Sequence, residues 1–150
     1  MHGAGVIEAI EEHEVLGQRH EYYVMHMRLG DLKVMIPVKS VSHIGLRQVI
    51  CEPEVDRVMQ VLRTRHDCVS PNWNRRCRVN LEKIKTGDIF EVADVVGSLI
   101  WRERDKGLST CERRMLDSAR QILVSELVLA KGVCASVVNT LLDEVFEQMA

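Results

Sequence analysis

The run Ser70-Pro71-Asn72-Trp73-Asn74-Arg75-Arg76-Cys77-Arg78 gathers an indole, three guanidinium groups and a thiol within nine residues. A tryptophan in the first turn of a helix, closely followed by Arg75, Arg76 and Arg78, sets a flat apolar ring beside cations and beside backbone amides with no intrahelical partner. Such amides favour anions, and the combination suits a nucleic-acid backbone with a wedging or stacking contact from the ring. The same residues also fit a hydrophobic staple, with Trp73 packed on a neighbouring helix and the arginines merely solvated. Physical chemistry alone keeps both readings open.

The thiol invites two further chemistries. Cys77 stands among arginines, which lower a thiol pKa and favour a nucleophilic thiolate, the basis of a cysteine redox sensor. His66-x-Cys68 with Cys77 offers imidazole and thiolate ligands, yet the spacing fits no structural zinc pattern, and a cysteine on the inner face of a helix commonly serves as a small apolar residue. No metal is expected. No Gly-rich phosphate loop, H-E-x-x-H, G-x-S-x-G or C-x-x-C occurs, so neither catalytic activity nor a cofactor is expected.

Five cysteines (Cys51, Cys68, Cys77, Cys111, Cys134) are odd in number and widely spaced, which argues against a disulfide framework and for a reducing, cytoplasmic compartment. At 150 residues the chain has room for one ordinary domain or two small ones, and 46% apolar with 28% charged residues is ordinary globular composition. Asp94 and Glu126 interrupt the two greasiest stretches, so no membrane segment is expected. The net charge of −2 conceals a basic middle, with 11 basic against 8 acidic residues over 69–120. That excess surrounds the Trp73 run and invites a polyanion without deciding for one.

These side chains need elements to position them. Val6 to Ile10, Glu21 to Arg28 and Leu32 to Val38 read as strands of a small antiparallel meander, with turns at Leu16-Gly17-Gln18 and Gly30-Asp31. From Cys51 the period becomes helical: Val55, Val58, Met59 and Leu62 share one stripe, and Pro53 suits a first turn. Thr64 to Pro71 has no apolar period and reads as a linker. Four helices follow, capped by Asn72 or Ser70, by Asp88, and by Ser109 with Glu112 as a capping box, and closed at Gly87, Gly107 and Gly132. The last carries Val137, Val138, Leu141, Leu142 and Val145. Trp101 lies mid-helix, where packing is expected, and Arg102 and Arg104 beside it read as a solvated face.

Several stretches, in order, resemble one family. Gly30-Asp31-Leu32-Lys33-Val34-Met35-Ile36-Pro37-Val38, Ile44-Gly45-Leu46-Arg47, Asn72-Trp73-Asn74-Arg75-Arg76, Asn80 to Asp88, and Lys106-Gly107-Leu108-Ser109 running through Ala119 to Leu123 are similar to the CarD/CdnL bacterial transcription regulators. The resemblance covers nearly the whole chain. It implies an α+β protein: a Tudor-like antiparallel β domain (1–50) shared with transcription-repair coupling factor, a helix and linker (51–68), and an all-helical DNA-binding domain (69–150). It further implies binding to the lobe of the RNA polymerase β subunit and stabilisation of the open promoter complex, by contact with promoter DNA at the upstream edge of the bubble. A monomer is expected away from polymerase.

Carried over by position, Trp73 resembles the family's wedge, inserted from the minor-groove side, while Arg75, Arg76, Arg78 and Arg113 become DNA contacts. His13, Lys33 and Met35 become polymerase contacts, although the arginines some relatives carry at His13 and Met35 are absent. Relatives place another strand before the His-Gly seen here as His2-Gly3, so the expectation is either an exposed sheet edge or a start codon assigned downstream of the true one. The alternative is a polymerase-binding adaptor without DNA-wedging activity.

Overall fold

The computed structural model describes residues 3–64 and 70–149. His66, Asp67 and Cys68, and most of the expected linker, lie outside these residues. Strands β1 (Gly5–Val15), β2 (Gln18–Met27) and β3 (Lys33–Pro37) form one antiparallel sheet in the order β1-β2-β3. The first hairpin closes on Leu16 and Gly17, both with positive φ (53° and 77°), which matches the right-handed twist of the strands it joins. β1 continues well past Ile10, because zipping from this tight turn pairs Glu11–Val15 with Gln18–Tyr22 despite their poor strand propensity. Its register shifts at Glu8, between Ile7 and Ala9.

Direct cross-strand pairing puts Lys33, Met35 and Pro37 on the same face as His26, Val24 and Tyr22. The opposite face carries Met25 and Met27, the sheet's two buried residues. β1 is an edge strand exposed along nearly all its length.

A short helix α1 (Val41–Ile44) follows, too brief to leave a periodic signal. The helices are α2 (Glu52–Arg63), α3 (Trp73–Lys85), α4 (Ile89–Lys106), α5 (Thr110–Lys131) and α6 (Ala135–Gln148). The expected caps form: Asp88 accepts from the Phe90 amide, and Ser109 and Glu112 satisfy each other's amides. One core unites these helices around α4, through Val92, Val96 and Leu99, with Val58 and Leu62 of α2, Leu123 of α5 and Leu142 of α6 fully buried against it. α2 crosses α4 at Gly97, where an added Cβ would stand 3.1 Å from the Leu62 carbonyl oxygen. Trp101 packs against this core, half-buried. No single helix among the described residues is long and apolar enough to cross a bilayer.

The sheet meets the helices through polar hooks. Arg47 donates to both oxygens of the buried Glu126 on α5 (2.7 and 3.0 Å) and to the Gly87 carbonyl (2.9 Å), while the Ile50 amide also donates to Glu126 (3.2 Å). The Ala4 amide donates to Ser125 Oγ at 2.9 Å. Between these hooks lies a cavity of about 410 Å³, lined by Met25, Met27, Val34 and Ile36 of the sheet and by Ile84 and Ile89 of the helices.

Candidate nucleic-acid interface

α3 starts at Asn72, whose extended backbone and side-chain oxygen, accepting from the Asn74 and Arg75 amides (3.0 and 3.4 Å), place Trp73 at the first helical position. The indole is 45% exposed, neither sealed in the core nor loose. Its Nε1 donates to Ser109 Oγ at 3.0 Å, so the starts of α3 and α5 meet at this bond.

Ser109 is held in turn. A hydroxyl has one proton and two acceptor sites. Here the proton goes to Glu112 Oε2 (2.9 Å), which leaves the oxygen free to accept the indole N–H and the Glu112 amide (3.2 Å). Glu112 Oε1 accepts from Arg76 (3.3 and 3.4 Å) and pairs with Arg102 (3.1 Å). Burial by itself raises the Glu112 pKa, but the Ser109 amide and hydroxyl, with Arg102 and Arg76, outweigh it and hold the carboxyl below its ordinary value.

This network corrects two expectations. Arg76 is only 8% exposed, with its remaining donors on the Ser70 and Pro71 carbonyls (3.0 and 2.7 Å), so its guanidinium faces inward and is occupied within the protein. The reason is its place on the inner stripe of α3, one helical face with Cys77 and Ile84. Arg102 is likewise not a solvated residue, because it is drawn to Glu112, whereas Arg104 is exposed, with a bond to the Phe146 carbonyl. Arg75 and Arg78 are exposed on the outer side of α3. Arg113 is exposed in the first turns of α5, with Glu103 at 3.0 Å.

At Cys77 the lowering of the thiol pKa by neighbouring arginines is outweighed. Burial, with help from a hydrogen bond to Cys111 and the nearby Glu112 charge, pushes its thiol up to about 11, against a weaker lowering by Arg76. The guanidinium that would activate it is already neutralised by Glu112. Among the described residues no group of three or more His, Cys, Asp or Glu could hold a metal.

On the sheet, Lys33 and Met35 are exposed and share the outer face, and His13 joins them through an edge contact with Tyr22 (ring centroids 5.8 Å apart). His13 also pairs with Glu11 (2.9 Å), and Lys33 lies 3.5 Å from Glu8. Each of these two side chains therefore has an acidic neighbour. The sequence reading missed Arg102 as a partner of Glu112 and Cys111 as a partner of Cys77. It found Ser109 and Glu112 as a cap, with no local signal that Trp73, 36 residues away, would join them.

Residues 57–143 match the family described as CarD, C-terminal domain, and residues 1–50 match the CarD-like/TRCF RID domain. The protein YdeB of Bacillus subtilis (strain 168), a candidate transcription factor by its name, is 38% identical over 133 residues, which is 89% of this chain and 87% of its relative.

Proposed function

The chain belongs to the CarD family of transcription factors, and from that premise we propose that it binds the RNA polymerase β subunit through its sheet and stabilises the open promoter complex through the starts of α3 and α5. It acts in the cytoplasm, where polymerase opens promoters, and performs no catalysis. The observation that carries this reading is the half-exposed Trp73 ring, anchored at its N–H and flanked by exposed Arg75 and Arg78.

A ligand shifts an equilibrium only by binding one state better than the other. An indole inserted at the upstream fork prefers unstacked bases to closed duplex, and phosphate contacts from Arg75, Arg78 and Arg113 hold it there. The Arg113–Glu103 pair is exposed, and such pairs are weak enough for a phosphate to replace the carboxylate. The outer sheet face, with His13, Lys33 and Met35, and the edge of β3, which pairs with no further strand among the described residues, offer polymerase a strand to pair with and side chains to read.

Trp73→Ala, read by the lifetime of a fluorescent polymerase–promoter open complex, is expected to shorten that lifetime about fivefold or more, the low end of a base-stacking contribution. Polymerase capture stays unchanged. Arg75→Ala and Arg78→Ala each lower the salt dependence of fork binding by about one in log–log slope. An unchanged lifetime in the tryptophan variant, with fork affinity indifferent to salt, would leave only an adaptor that binds polymerase.

A further inference from the structure

We propose that Cys77 and Cys111 form a reversible disulfide joining the starts of α3 and α5, a modification site that clamps the surface presenting Trp73. Their sulfur atoms lie 3.9 Å apart, across a sequence separation of 34 residues, so neither could be paired from local spacing. The other described thiols are occupied differently: Cys51 faces Glu54 at 3.3 Å, and Cys134 faces the Ser136 hydroxyl at 3.0 Å. Cys77 lies one turn beyond Trp73 on the same helical face, and Cys111 lies two residues beyond the Ser109 that holds the indole. A bond between them therefore closes directly beneath the Trp73–Ser109 contact.

The two thiols differ in access, which sets the order of events. Cys111 is exposed, whereas Cys77 is half-buried between the helices. With an oxidised low-molecular-weight thiol such as glutathione disulfide as oxidant, the Cys111 thiolate attacks one sulfur, forms a mixed disulfide and releases one small thiol. Cys77 then loses its proton, attacks Cys111 Sγ and expels the second small thiol. Two protein thiols have given up two electrons and two protons, and one small disulfide has become two thiols. The half-buried position and raised thiol pKa of Cys77 make this second step slow unless the partner sulfur is already adjacent, which it is.

Formation of this disulfide does not depend on DNA binding, and no DNA is needed to detect it. The full chain is equilibrated in glutathione redox buffer, quenched by alkylation and digested. The expected result is one peptide pair joined through Cys77 and Cys111, an intact mass lower by two hydrogens, full reversal by dithiothreitol, and an unfolding midpoint raised by about 5–10 °C in the oxidised form. Cys111→Ser, at an exposed position that leaves the fold intact, abolishes the joined pair and the midpoint shift. If both thiols are instead recovered alkylated, or Cys111 carries glutathione while Cys77 remains free, the proposal is overturned.

Discussion

Glu112 organises the proposed DNA-facing surface without reaching it. One carboxylate, 2% exposed, satisfies the Ser109 amide and hydroxyl on one oxygen and two guanidinium groups on the other. Removing one member of a buried ionic cluster leaves its partners desolvated and unpaired, which costs roughly 3–5 kcal/mol. Glu112→Ala is thus expected to lose about that much in urea unfolding, and Trp73 loses its fixed acceptor as Ser109 is released. The lowered pKa gives a pH dependence of known sign. Its stabilisation is complete above the ordinary value of 4.5 and is lost as pH falls through the lower, folded value. Glu112→Gln, which cannot titrate, should flatten that acid limb of stability against pH; an unaltered limb would mean that other carboxylates set it. At this scale the sequence was half legible. Arg75, Arg76 and Arg78 look alike as a basic cluster, but only Arg76 shares the helical stripe of Cys77 and Ile84, and that periodicity was the available sign that it points inward.

Among elements, the helices were legible because their signals are local. Asn72, Asp88 and Ser109 each cap through a side-chain oxygen and a nearby amide, and glycines with positive φ follow α3, α4 and α5. The strands were less so, since β1 owes its length to pairing across a turn and not to its own composition. That turn also holds a mismatch. Leu16 is fully exposed at φ 53°, a left-handed conformation that costs an ordinary L-residue about 1 kcal/mol and that asparagine tolerates better. Its side chain contributes no burial to offset this. Leu16→Asn should therefore stabilise the chain by about 0.5–1 kcal/mol, visible as a rise of about 1–4 °C in the unfolding midpoint. A fall would show that the exposed leucine has a packing role which the turn geometry does not reveal.

For the molecule as a whole, the spacing between its two proposed attachments depends on how the sheet is held to the helices. Met25 and Met27 of the sheet and Ile84 and Ile89 of the helices line a cavity at this junction. Beside it Glu126 supplies a polar hold, joining Arg47 and the Ile50 amide to α5. No sequence pattern reveals such a contact, for Arg47 and Glu126 lie 79 residues apart and each belongs to an unremarkable local context. In Glu126→Ala, Arg47 can recover water because its side chain is 39% exposed, whereas the Ile50 amide loses a partner near the junction, so a cost of about 1–3 kcal/mol is expected. The more telling consequence is positional. Two weak attachments on one rigid body raise each other's effective concentration, and a loosened junction lowers it without altering either contact surface. Glu126→Ala is accordingly expected to bind polymerase alone and forked DNA alone as the parent chain does. It should nevertheless shorten the open-complex lifetime and speed proteolysis within residues 46–50. Asp143→Ala, which breaks only the ion pair between the exposed Asp143 of α6 and Arg120 of α5, is the matched control and should change neither. If the Glu126 variant keeps both the lifetime and the protease resistance of the parent, the two halves are held by something other than this carboxylate.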